Sequence, residues 1–247
     1  MSPRRLTLPT GEVRTVPRVT EIISAGMPKP ELDEWKLKDL ASFAAANPHR
    51  DADILLARWR GHSHRHADRG TAVHRWIAGF LSGQPVAPSP QLAGYVAAFR
   101  AWYLDNGPKL AGPVEQMLAD YDVTVCGTAD YICDGHLYDW KTAEERSGHP
   151  PWPAHVAQIG AYSSMSRYVV EGKVGYVVEG KVEPPYWRGT AFRAASIVRL
   201  YADGTFEEDV YEGEKLADTK TLWEAVRTVA RAATRDRDQT DADTKER

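Results

Sequence analysis

The chain has 247 residues, of which 43% are hydrophobic and 26% charged, a composition typical of a globular protein rather than a disordered or fibrous one. A chain of this length suits one large domain or two small ones. The formal net charge of −3 excludes a uniformly basic nucleic-acid coat protein, so that any contact with DNA has to be local.

Neither the hydropathy nor the cysteines point to a membrane or to an oxidising compartment. No window reaches the ~18 consecutive apolar residues of a membrane span, and no apolar stretch of a signal peptide follows the polar start at residues 1–5. Cys126 and Cys133 are too few for a disulfide scaffold or a four-cysteine metal site. We therefore expect a cytoplasmic protein, without a membrane partner, in which both cysteines are reduced strand residues.

The first half of the chain is predicted to be mainly helical. Residues 1–15 form a loose start, after which Thr20 is a candidate N-cap for a first helix. Apolar residues at helical spacing predict further helices over 36–46, 70–81 and 92–106.

From Pro113 the apolar period becomes two, which predicts strands at 114–118, 121–133 and 136–142. Asp134-Gly135 between the last two is a strong signal for a two-residue hairpin turn. A helix from 155, strands at 195–201 and 205–211 and a helix over 216–233 follow. These patterns predict one α/β domain over residues 1–234, with a helical part at 16–112, a sheet core at 113–182, C-terminal strands and a helix at 183–234, and a disordered charged tail at 235–247.

The hairpin sets the register of the chemically suggestive residues. A two-residue turn places Cys133 opposite His136 and Asp130 opposite Asp139. Opposed Cβ atoms lie about 4.5–5.5 Å apart, and like charges there destabilise a sheet unless a cation lies between them. Lys141 shares the face of Asp139, and we expect Ala129 and Trp140 to point the other way, into the core.

Two carboxylates beside a lysine allow two interpretations. Hard oxygen ligands suit Mg²⁺ or Mn²⁺, and Lys141 would then orient or deprotonate a water near the metal. The alternative is a solvated strand face on which Lys141 pairs with Asp139. Spacing alone does not choose between them.

A basic stretch lies before these strands, between residues 58 and 75. It contains four of the eight histidines and a single acid, Asp68. It is either a solvated charged loop or an arm that contacts DNA phosphates. The candidate phosphate-binding residues are Arg58, Arg60, Arg65, Arg69 and Arg75.

Five short motifs occur in a fixed order: Gly70-Thr71-Ala72-Val73-His74, Val114-Glu115-Gln116-Met117, Gly127-Thr128-Ala129-Asp130, Asp139-Trp140-Lys141-Thr142 and Gln158-Ile159-Gly160-Ala161-Tyr162. Between about Val16 and Val182 the chain thereby resembles the RecB-like branch of the PD-(D/E)XK nuclease superfamily, which includes phage and CRISPR-associated exonucleases. It departs from the family pattern at Ala129, where the superfamily name has proline. It also lacks the four cysteines of the iron–sulfur members.

The resemblance implies a restriction-endonuclease-like core, with a central mixed sheet flanked by helices. It implies that Mg²⁺ or Mn²⁺ is held by His74, Asp130, Asp139 and the backbone carbonyl of Trp140, without an iron–sulfur cluster. The catalytic residues would be Asp130, Asp139, Lys141 and Glu115, with Gln158 and Tyr162 positioning the lysine or the phosphate backbone. From the residues alone, the alternative is that His74, Gln158 and Tyr162 are core residues and Glu115 a surface acid.

The expected activity is therefore metal-dependent DNA exonuclease action in DNA recombination, repair or phage replication. The expected partners are DNA with a free end and a single-strand annealing or binding protein, in the host cytoplasm if the protein is phage-encoded. The alternatives are a structure-specific or restriction-type endonuclease and a non-catalytic DNA-binding recombination accessory protein. The exonuclease is favoured because the first 70 residues can confine a strand end, and no helix-turn-helix or zinc-finger pattern is visible to read bases.

Overall fold

The computed structural model describes residues 3–28, 30–48, 51–84, 86–106, 112–146, 148–174 and 192–245, without the side chains of 30–33, 35, 62–66 and 234–245. The described chain is an α/β structure with a large mixed sheet and helices on both faces, as the sequence predicts. None of its helices is apolar over a stretch long enough to cross a bilayer.

Within these ranges the chain forms six α-helices and nine strands. The helices are α1 (Val19–Gly26), α2 (Pro30–Ala46), α3 (Ala52–Leu81), α4 (Ala93–Asn106), α5 (Pro153–Ser163) and α6 (Gly213–Lys245). The strands are β1 (Arg4–Thr7), β2 (Val13–Val16), β3 (Val114–Ala119), β4 (Cys126–Cys133), β5 (His136–Ala143), β6 (Arg167–Val170), β7 (Lys173–Val174), β8 (Ala194–Tyr201) and β9 (Phe206–Glu212).

All the described strands join one sheet in the order β2-β1-β7-β6-β3-β4-β5-β8-β9. The pairs β1/β7 and β5/β8 are parallel, and the other neighbours are antiparallel. A parallel pair needs a crossover connection, and α5 lies in the connection between β5 and β8. The C-terminal strands therefore extend the same sheet as the β4–β5 hairpin, and the predicted boundary between residues 182 and 183 lies outside the described residues.

Each face of the sheet carries its own hydrophobic core. On one face α1, α5 and α6 pack around Ile132, Leu137 and Trp223. The crossing of α5 and α6 is so close that a Cβ on Gly160 would lie 2.0 Å from the carbonyl oxygen of Thr219. On the other face α3 and α4 pack an aromatic cluster around Trp102 and Trp140, whose rings meet edge to face at 4.8 Å. The sheet is thus held between two helical layers.

Two predictions near the N-terminus are wrong. Within the residues 1–15 that were expected to be loose, β1 and the start of β2 are ordered strands, because Arg4 pairs with Val16, and so on to Thr7 with Val13. Only one residue of each strand is buried, Leu6 and Val16, so the two-residue period is too short to recognise. Helix α1 is capped at Arg18 rather than Thr20, since the Glu21 carboxylate accepts the Arg18 N–H at 3.0 Å.

Three further predictions differ from the structure. The strand expected from 121 begins at Cys126, because Asp120 accepts the N–H groups of Thr124 and Val125 and holds a turn there. The backbone of the basic stretch is part of the continuous helix α3 and not a loop. The tail expected to be disordered is helical as far as Lys245, since no glycine or proline follows Gly213 to end α6.

Candidate metal centre

The β4–β5 hairpin has the predicted register from its turn as far as the Tyr131–Tyr138 pair. Tyr131 pairs with Tyr138 and Cys133 with His136. One residue further, Oδ2 of Asp130 accepts the Trp140 backbone N–H at 2.8 Å. In a regular antiparallel ladder this N–H would bond to the backbone of β4. Because the Asp130 carboxylate accepts it instead, the pairing of β4 with β5 ends here, and the site lies at this point.

This arrangement corrects the prediction that Ala129 and Trp140 share a face. Ala129 lies in the core beneath α1, α5 and α6, whereas Trp140 lies in the aromatic cluster beneath α3 and α4. The prediction assumed an unbroken pleat, and the side-chain bond from Asp130 interrupts it.

Three side chains from different elements converge on this point. His74 comes from α3, Glu115 from β3 and Asp130 from β4, and one ligand atom of each lies within 4.8 Å of the others. His74 Nδ1 is 3.3 Å from Asp130 Oδ1. We refer to His74, Glu115 and Asp130 as the ligand cluster.

Glu115 belongs to this cluster through the strand register, although the resemblance suggested it only as a catalytic acid. Val114 pairs with Tyr131 and Gln116 with Ala129, which places Glu115 opposite Asp130. Its backbone has a φ of 52°, a left-handed conformation that is costly for a residue other than glycine and is often found at functional sites.

A second group of polar side chains lies on β5 and α5. Lys141 Nζ is 2.6 Å from Asp139 Oδ2 and donates to Gln158 Oε1 at 3.1 Å. Gln158 Nε2 in turn donates to the Tyr162 hydroxyl at 2.9 Å. The structure therefore links all four predicted residues, Asp139, Lys141, Gln158 and Tyr162, in one chain of contacts. We call this the lysine relay.

A glycine makes room for the end of that relay. A Cβ on Gly127 would lie 2.4 Å from the Tyr162 ring and 3.1 Å from the side chain of Val19. Tyr162 is buried and held against the β4 backbone at this position. Gly127 is therefore needed because the ring of Tyr162 occupies the space of a side chain.

The two groups have unusual proton affinities. Burial raises the pKa of Asp139 to about 6 despite the opposing effect of Lys141. Burial lowers the pKa of His74, but the charge of Asp130 and its hydrogen bond outweigh this and leave the pKa above its usual value. Loss of hydration and the neighbouring carboxylate of Asp130 raise the pKa of Glu115. Protons are thus held more tightly than usual at all three residues.

The ligand cluster suits a divalent cation. It offers one imidazole nitrogen and two carboxylates. Mn²⁺ accepts this mixed set of ligands, and the carboxylate oxygens also suit Mg²⁺. The carboxylates of Glu115 and Asp130 are brought close together with His74, an arrangement that costs free energy without a positive charge between them. Asp139, predicted as a ligand, is not a member of this cluster and lies against Lys141 instead. Metal binding by Asp139 and by the Trp140 carbonyl stays a prediction.

An open cleft of about 480 Å³ leads to the ligand cluster. Its lining includes His74, Arg75 and Glu115, together with Gly70, Thr71 and Ala78 of α3. The cleft brings one arginine, Arg75, next to the cluster.

The arginines of the predicted basic arm lie along α3 and have different surroundings. Arg75 lines the cleft, whereas Arg69 donates to Glu144 at 2.8 Å and lies over the ring of Tyr95. Arg58 and Arg60 are exposed near the start of α3, and the side chain of Arg65 lies outside the described residues. Of the predicted arginines whose side chains the structure describes, Arg75 is the one that lines the cleft, and phosphate binding by these arginines stays a prediction.

Comparison with known proteins leaves the family open. No protein-family model matches the chain, and no curated protein matches it. Among solved structures, the crystal structure of SSO0001 covers 88% of this chain and 78% of its own, with 13% sequence identity and a TM-score of 0.37.

Proposed function

We propose that the protein is a metal-dependent deoxyribonuclease that hydrolyses phosphodiester bonds, and that it acts as an exonuclease. The observation that carries this proposal is the position of the ligand cluster and the lysine relay around the point where β4 and β5 stop pairing. One group offers metal ligands and the other a positioned cation. A cleft lined by an arginine leads to them.

The two groups divide the chemistry of hydrolysis between them. His74, Glu115 and Asp130 would hold Mg²⁺ or Mn²⁺, which supplies charge stabilisation at the phosphate and lowers the pKa of a bound water. Lys141 is held by Asp139 and Gln158, so its ammonium group is fixed where it can donate to a phosphate oxygen or orient the attacking water. Tyr162 fixes Gln158 in turn.

The phosphate backbone of DNA would enter along the cleft. Arg75 can pair with a phosphate, and Arg58 and Arg60, exposed near the start of α3, extend the positive charge away from the site. We propose a role in recombination, repair or phage replication, in the cytoplasm, with a single-strand annealing or binding protein as partner.

The test compares linear and covalently closed duplex DNA of the same sequence, in Mg²⁺ and in EDTA. An exonuclease releases acid-soluble nucleotides from the linear form in Mg²⁺ and leaves the closed circle intact, and EDTA stops the release. Nicking or linearisation of the circle at a comparable rate would instead identify an endonuclease. Binding without any cleavage would identify a non-catalytic accessory protein.

A further inference from the structure

Trp152 is the most exposed of the tryptophans whose side chains the structure describes. Trp59 is half-buried, and the indoles of Trp76, Trp102, Trp140 and Trp223 are buried, at 6% exposure or less. Trp152 is 43% exposed, although it lies directly before α5, the helix that carries Gln158 and Tyr162. An indole exposed beside this helix offers a flat apolar face that a ligand can contact.

The position of Trp152 is well defined. Its carbonyl accepts the N–H groups of His155 at 2.8 Å and Val156 at 3.2 Å, which fixes it as the N-cap residue directly before α5. Pro151 before it is buried, and Pro153 after it restricts the helix start. The His155 ring stacks on the indole at a centroid distance of 5.7 Å and an interplanar angle of 18°. A flat surface held in this way loses little entropy when it binds a second ring.

The stacked pair is joined to the lysine relay through His155. His155, Gln158 and Tyr162 follow one another at spacings of three and four residues along α5, which is the spacing of neighbours on one helix face, and the His155 ring stacks on the Trp152 indole. Trp152 precedes Gln158 by six residues, about 9 Å along the axis at about 1.5 Å per residue. This is less than the rise of three stacked nucleotides at roughly 3.4 Å each.

We propose that Trp152 and His155 form a stacking platform for an unpaired nucleobase next to the scissile phosphate, an inference that rests on the proposed nuclease function. Every base has a flat face that can stack on an indole, so the platform is tolerant of sequence. Bases inside a duplex are already stacked on both sides, whereas a single strand or a frayed end offers a base. The platform therefore selects single-stranded DNA or an opened end over intact duplex.

The experiment measures binding of a labelled oligothymidylate and of a blunt duplex in EDTA, where no cleavage competes. Trp152→Ala weakens single-strand binding by roughly 5- to 150-fold, the range for loss of one base–aromatic stack, and changes duplex binding much less. Trp152→Phe keeps a flat ring and most of the affinity. Leu104→Ala removes another exposed apolar side chain, 84% exposed at the end of α4, and leaves both affinities unchanged.

Two results would overturn the platform: single-strand affinity unchanged in Trp152→Ala, or equal losses for single strand and duplex. Thermal melts of each variant show whether the fold is retained, and Trp152→Phe provides the folded comparison if Trp152→Ala is unstable. Cleavage by the wild-type protein in Mg²⁺ is followed separately. If the wild type cleaves DNA but Trp152→Ala binds normally, only the platform fails; if the wild type neither binds nor cleaves, the nuclease function fails as well.

Discussion

Asp139→Asn is expected to reduce metal-dependent cleavage by at least about a hundredfold, the loss typical when one electrostatic element of an active site is removed. The amide has almost the same shape as the carboxylate but no charge to hold Lys141, whose Nζ is 2.6 Å from Asp139 Oδ2. The lysine keeps its bond to Gln158 and loses its main restraint. Initial rates on end-labelled linear DNA in Mg²⁺ measure the effect.

The same substitution is expected not to lower the melting temperature in EDTA at pH 8. Burial raises the pKa of Asp139 to about 6, so the folded state binds this proton more tightly than the unfolded state. The ionised carboxylate therefore destabilises the fold by an amount that grows as the pH rises from about 4 to about 6 and then stays constant. Asparagine carries no such cost, and any advantage over the wild type disappears again on acidification towards pH 4.

Asp134→Asn is the matched control, because Asp134 is an exposed acid in the turn of the same hairpin. Its φ of 46° is one that asparagine also tolerates. This variant should cleave like the wild type. Wild-type turnover by Asp139→Asn would contradict the role assigned to the lysine relay.

Gly127→Ala is expected to lower both stability and activity. The new Cβ would lie 2.4 Å from the ring of Tyr162, which is buried and cannot move aside without disturbing α5. Overpacking of this kind typically costs about 1–3 kcal/mol of unfolding free energy. Displacement of Tyr162 also releases Gln158 and, through it, Lys141. Urea unfolding and cleavage rates report the two effects.

A glycine-to-alanine change elsewhere separates this clash from a general effect of alanine. Apart from the backbone of α3 itself, no atom of the described residues lies within 4 Å of the position that a Cβ on Gly61 would occupy, so Gly61→Ala in α3 should be neutral or stabilise by up to about 1 kcal/mol. Combining Gly127→Ala with Tyr162→Leu should cost less than the sum of the single changes, since the smaller side chain removes the clash. Additive costs would show that Gly127 and Tyr162 are not in contact.

The sequence identifies the parts of the site that depend on local signals. Asp134-Gly135 sets the register of the hairpin, because its turn type allows only one pairing of the adjacent residues. The spacing of Gln158 and Tyr162 places both on one face of α5, where the structure joins them by a hydrogen bond.

The remaining features depend on contacts between distant segments. Glu115 meets Asp130 through the β3–β4 pairing, and the six-residue connection between these strands does not determine that register. The meeting of His74 with Asp130 depends on how α3 packs against the sheet, which the helical period alone does not reveal. The side-chain bond from Asp130 to the Trp140 amide has no sequence signature, so the end of the ladder could not be foreseen.

The most direct measurement is a calorimetric titration of the metal-free protein with Mn²⁺ at pH 8 and pH 5.5. The account predicts binding at pH 8 that is lost in Glu115→Gln and in His74→Ala and is retained in Asp218→Asn, whose exposed carboxylate lies on α6. Binding should weaken at pH 5.5, because the ligands bind metal without their protons and the pKa values of His74 and Glu115 are raised. A wild-type protein that binds no Mn²⁺ at pH 8, or equal binding by wild type and Glu115→Gln, would contradict the metal centre.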